Sequence, residues 1–83
     1  MPVAAIVDGV KIALYANEHP PAHFHAMIAE HRAVFDIASL TIIAGSLPGA
    51  KRNKVRAWAL ARKALLLERF AAAAAHERVE PIA

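Results

Sequence analysis

The sequence contains no cysteine. That excludes disulfide stapling and thiolate metal sites, and it fits a reducing compartment. No apolar run approaches the roughly 18 residues that a membrane-spanning helix needs. The opening stretch MPVAAIVDGVKIALYANEH lacks the basic segment that begins a secretory leader. A cytoplasmic protein with no membrane attachment is therefore expected. There is no internal repeat, and no carboxylate occurs between Asp36 and Glu68.

What remains is enough for one domain: 83 residues, 58% of them hydrophobic, with a formal net charge of +3. The hydrophobic content argues against disorder. A chain of this size buries only roughly 60–65% of its unfolded surface, so a docked partner or a homodimer would help it. Much of the apolar content is alanine, which leaves a short candidate core: Ile6, Val10, Ile12, Leu14, Phe24, Ile28, Val34, Phe35, Ile37, Leu40, Ile42, Leu47, Val55, Trp58, Leu66 and Phe70. The basic balance is a mild signal for nucleic acid or an acidic protein.

Asp8-Gly9 joins two apolar runs, and Asp-Gly is a strong hairpin signal because both central residues of a type I′ turn need positive φ. Strands are predicted at about 3–7 and 10–16, with Lys11 alternating against Ile12 and Leu14. The prolines of NEHPP interrupt the sheet. AHFHAMIA and AVFDIAS read as two further strands joined by a short link, and LTIIAG reads as a fifth, shorter one. Gly45, Pro48 and Gly49 mark the exit from the sheet. From about 50 to 76 the pattern is helical, with Val55, Trp58, Ala59, Leu66, Phe70 and Ala73 on one face. Residues 79–82 read as a short extended tail suited to an edge. The expected fold is α+β: an antiparallel meander of three to five strands, over about 3–47, packed on one long C-terminal helix.

In a strand over AHFHAMIA, Phe24, Ala26 and Ile28 share one face, and His23, His25 and Met27 share the other. Phe24 then packs under the helix, while His23 and His25 point away with Cα atoms roughly 6.5 Å apart. A two-residue turn at Ala29-Glu30 places Asp36 opposite His23; one at Glu30-His31 places it opposite His25. A carboxylate there fixes the imidazole tautomer and raises its basicity. Three readings stand side by side. His19, His23 and His25 hold zinc with an open position. Alternatively, one histidine acts as general acid or base beside cations that bind phosphate. The third makes the histidines exposed strand residues hydrogen-bonded to the proline turn.

Lys51, Arg52, Lys54 and Arg56 crowd the start of the predicted helix, where the macrodipole disfavours cations, and Arg62 and Lys63 follow. Such a cluster, with the free N–H groups of a helix start, makes an anion site, or else simply a solvated helix face. Helical projection places Arg62 among apolar neighbours, where it can stack on Trp58 or reach a ligand.

EHPPAHFHA resembles the signature of the small bacterial proteins grouped as domain of unknown function 4160: an acidic residue and histidine, two prolines, then His-Phe-His. DGVKIALYANEH before it, LTIIAGSLP before the helix, Trp58 and the closing VEPI extend the resemblance along nearly the whole chain. Phe70 stands where the family has a second tryptophan, and Ala22 separates the prolines from His23. The resemblance implies a component of a toxin–antitoxin type pair, acting on RNA or translation and held by a small antitoxin-like partner. Joined to the residues, it gives the expectation of a ribonuclease that uses no cofactor. His23 or His25 would be its acid–base group, oriented by Asp36, with RNA held by Lys51, Arg52, Lys54, Arg56 and Arg62. The alternatives are a zinc-binding module through His19, His23 and His25, and a non-catalytic interaction subunit.

Overall fold

The computed structural model describes residues 3–16, 19–77 and 81–82. The strands are β1 (Val3–Val7), β2 (Val10–Ala13), β3 (His23–Ile28), β4 (His31–Asp36) and β5 (Ile42–Gly45), followed by helices α1 (Gly49–Leu60) and α2 (Lys63–Ala74). The five strands form one antiparallel sheet in sequence order, so the α+β meander is present. Among the described residues no helix is long and apolar enough to cross a membrane.

Local chemistry sets the turns. Asp8 (φ 49°) and Gly9 (φ 82°) both take the positive φ that a type I′ hairpin demands. The β3–β4 connection is the two-residue turn Ala29-Glu30, with Ile28 opposite His31 and Ala29 at φ 52°. Gly45 is the one position where glycine is sterically required: at φ 72°, a Cβ would lie 2.1 Å from the Arg32 carbonyl oxygen. At that point the Ser46 amide donates to the same oxygen, closing the end of β5.

One face of the sheet is packed. Ile12, Phe24, Ala26, Ala33 and Phe35 join Val55, Ala59, Leu66, Phe70 and Ala73 of the helices in a single core. Phe24 and Phe35 are cross-strand partners with rings stacked 5.0 Å apart at 8°. Ile6, expected in the core, is 66% exposed. A bulge between Val3 and Ala5 is the reason. It lets Ala4 and Ala5 both turn inward and sends Ile6 out beside Lys11, because one extra residue reverses the alternation. Of the expected tail, residues 79 and 80 lie outside the described residues. Ile82 donates its amide to the Ala4 carbonyl (2.7 Å) and buries its side chain, so it docks on the free edge of β1.

The single helix expected over 50–76 is two helices. The break falls at Ala61-Arg62, without glycine or proline, and Arg62 itself accounts for it. Its amide bonds to the Ala59 carbonyl (2.9 Å) instead of continuing the α pattern to Trp58. The Trp58 carbonyl receives the Arg62 guanidinium, with Nη1 at 2.9 Å, and the guanidinium also lies 5.2 Å from the Trp58 ring centroid. Arg62 thereby caps α1 with its own side chain and leaves helical geometry (φ −130°, ψ 21°). The second helix ends in a Schellman arrangement around His76 (φ 60°), with Glu77 N–H to Ala72 and His76 N–H to Ala73.

Candidate functional site

Strand alternation alone separates the two sets of β3 side chains. Phe24 and Ala26 are fully buried under the helices, whereas His23, His25 and Met27 are half-buried on the opposite, open face. The rings of His23 and His25 meet edge to face, with centroids 5.4 Å apart. Tyr15, leaving β2, places its ring edge-on to His25 at 4.6 Å and directs its hydroxyl toward the Met27 sulfur at 3.7 Å. The other side of His23 rests against Phe70 of α2, 5.3 Å away, so this imidazole sits where the two layers join.

A groove of about 260 Å³ opens beside His25. Tyr15, His25, Met27, Arg32, Val34 and Ala44 line it. Gly45 forms part of its wall.

The hydrogen bonds of the site fix protonation where they can. His23 Nδ1 lies 2.7 Å from the Pro21 carbonyl oxygen, which can only accept. The proton is therefore on Nδ1, and the lone pair of the neutral ring is on Nε2. Asp36 is the cross-strand partner of His23, the placement that the Ala29-Glu30 turn requires. Its carboxylate accepts from the Ser39 hydroxyl (2.6 Å) and the Ser39 amide (3.1 Å). These bonds hold the Asp36 carboxyl below the usual carboxylate range, and His23, when it carries a proton on both nitrogens, adds a smaller push in the same direction. Asp36 thus acts on His23 as a nearby negative charge while Ser39 holds it in place.

The expected zinc set is not assembled: His19 is exposed, and among the described residues no three His, Asp or Glu side chains converge to hold a metal. The expected nucleic-acid contacts lie in the helical layer, on the other side of the sheet from His25. Lys51 bonds the Asp8 carbonyl (2.8 Å) and carboxylate (3.0 Å) of the first hairpin. Arg56 bonds the Leu40 carbonyl at 3.0 Å, and Lys63 bonds the Ala38 carbonyl at 2.7 Å. Arg62 is committed to Trp58. Among the described residues Arg52 has one side-chain hydrogen bond, to the neighbouring Asn53 at 3.4 Å, and Lys54 is exposed. The cation that shares the histidine groove is Arg32, which the sequence reading passed over along with Tyr15. Both were reachable in part. With the turn at Ala29-Glu30, pairing Ile28 with His31 puts Arg32 beside Met27. Tyr15 shares the parity of Lys11 and Ala13.

A family model described as domain of unknown function (DUF4160) matches residues 9–71, from the first hairpin turn into α2. The chain belongs to this family. The DUF4160 span contains every residue that lines this groove, together with the proline-flanked histidines. No curated protein and no solved structure gives a significant match to the chain.

Proposed function

We propose that this DUF4160 protein is a toxin-like, RNA-acting protein that cleaves phosphodiester bonds by acid–base catalysis at the histidine pair, and that a small antitoxin-like protein holds it in check. The observation that carries the reading is the contact of the two imidazoles at the mouth of a groove that also presents a phenol and a guanidinium. Cleavage of RNA needs three groups: a base for the 2′-hydroxyl, an acid for the leaving 5′-oxygen, and a cation for the charge that builds on phosphorus. Nε2 of His23 carries a lone pair and serves as the base. As the 2′-oxygen bonds to phosphorus, the bond to the 5′-oxygen breaks, and protonated His25 delivers its proton to that oxygen. Arg32 balances the charge on the non-bridging oxygens. The products are a 2′,3′-cyclic phosphate and a 5′-hydroxyl, and Asp36 stabilises the imidazolium formed on His23.

The test is incubation of purified protein with a labelled single-stranded RNA, with product ends assigned by mass. Cyclic-phosphate ends are expected, with a fall of about 10²–10⁴-fold in rate for His25→Ala and for His23→Ala. Intact RNA with wild-type protein, or equal cleavage by the double variant, sinks the reading. Growth arrest on expression, relieved by co-expression of the neighbouring gene, tests the toxin-like part separately.

A non-catalytic interaction subunit is the second reading. It is favoured by apolar side chains left in solvent at Ile43 of the edge strand β5 and at Leu60 and Leu67 of the helices. That reading expects a stable complex with the partner, unchanged when both histidines are replaced.

A further inference from the structure

We propose that single-stranded RNA crosses the open face of the sheet on Lys11 and Arg32, rather than running along the basic start of α1. The proposal rests on the RNA reading above and adds the route of the strand. A second groove, also of about 260 Å³, lies next to the first and is lined by Lys11, Met27, Ile28, Ala29 and Arg32. The two grooves share Met27 and Arg32, so they form one trough across the sheet.

The strand register explains why the trough is cationic. Lys11 is the partner of Met27, and Met27 is the partner of Arg32, so one row reads Lys-Met-Arg across β2, β3 and β4. With strands about 4.8 Å apart, the two cations rise from backbones roughly 9–10 Å apart. The adjacent row carries Ala13, His25, Val34 and Ala44. Among the described residues no carboxylate lines either groove. Lys11 and Arg32 are exposed, and among the described residues neither has a side-chain hydrogen bond or an ion pair.

A polyanion is the occupant that two such cations favour. The rings of Tyr15 and His25 beside them give a base a surface to stack on, which is the usual partnership in single-strand recognition. A duplex would need a protruding element to enter its grooves, and a flat sheet face offers none. An unpaired strand lies on such a face with its bases turned to the rings and its phosphates to the cations.

The experiment is fluorescence anisotropy with a short 2′-O-methyl oligouridylate, which cannot be cleaved, across a range of salt. Lys11→Gln and Arg32→Gln keep most of each apolar stem, and thermal melts verify that both variants fold. Each is expected to weaken binding and to lower the slope of log affinity against log salt by about 0.7, with the two effects adding in the double variant. Tyr15→Ala is expected to weaken binding roughly tenfold and leave the slope unchanged. If Arg52→Gln and Lys54→Gln remove the salt dependence while Lys11→Gln and Arg32→Gln do not, the route is wrong and the RNA reading stands. If wild-type protein binds no oligonucleotide, the RNA reading fails and takes the route with it. Binding of polyglutamate in place of the oligonucleotide, with the same dependence on Lys11 and Arg32, overturns the choice of RNA and points to an acidic protein.

Discussion

Both layers of the molecule carry cations, and they use them differently. In the helical layer Lys51, Arg56 and Lys63 each end on a backbone carbonyl of a sheet loop, tying α1 and the start of α2 to the first hairpin and to the β4–β5 turn. On the open face Lys11 and Arg32 end in solvent above an apolar residue, Met27. The helical cations are dense in sequence and largely committed in space. Those of the open face are 21 positions apart in sequence, and only strand pairing makes them neighbours. A run of basic residues therefore measures the charge a segment carries, not the charge it can offer to a ligand.

The contrast between a structural face and a working face can be broken by substitutions that should affect one and spare the other. Phe35→Ala removes one ring of the buried stacked pair and is expected to cost about 3–5 kcal/mol, a large part of the stability of a small domain, read by urea unfolding. Gly45→Ala puts a Cβ against the Arg32 carbonyl at positive φ, and a loss of about 1–3 kcal/mol is expected from the same measurement. Arg62→Ala removes the side-chain cap and the contact with Trp58, for a loss of about 1–2 kcal/mol. Lys51→Ala breaks a half-exposed pair with Asp8 and should cost only about 0.2–1 kcal/mol, less at high salt. His25→Ala, on the working face, should stay within about 0.5 kcal/mol of wild type while the chemistry is lost. A large loss of stability there would make His25 a structural residue and erase the contrast.

Acid sharpens the same comparison at Asp36. Its carboxyl is lowered in the folded state, mainly by Ser39. The stabilisation is fully present above the ordinary aspartate range, near pH 4, and disappears as pH falls through the lowered value. Ser39→Ala should return the Asp36 titration toward that range, as followed by carboxyl carbon NMR. An unmoved titration would mean that Ser39 is not what holds the charge.

The strands, their order and the facing of β3 were legible because their signals are local: Asp8-Gly9, the double proline, and alternation around Phe24. A two-residue turn put Asp36 opposite one of the two histidines, and the position of the turn at Ala29-Glu30 selects His23. The bulge near Val3 was not legible, since nothing in VAAIV marks where an extra residue enters, and it misplaced Ile6. The helix break was hidden for a different reason. Helix-forming residues surround it, and the cause is a side chain folding back on the turn before it, which propensity does not describe. The trough needed the pairing of β2 with β3 across residues 14–22, a link whose length sets no register. Lys11 could be seen as exposed, but nothing local made Arg32 its neighbour.

The connection between Ile28 and His31 has a consequence for how this domain can change length. If the turn stays at two residues, a single amino acid added there is pushed into β4 and turns that strand over. Phe35 would be carried into water and Arg32 into the interior. A connection rebuilt as a three-residue loop, closed by a bulge that absorbs the extra residue, leaves both faces as they are, so growth here demands a change of turn type.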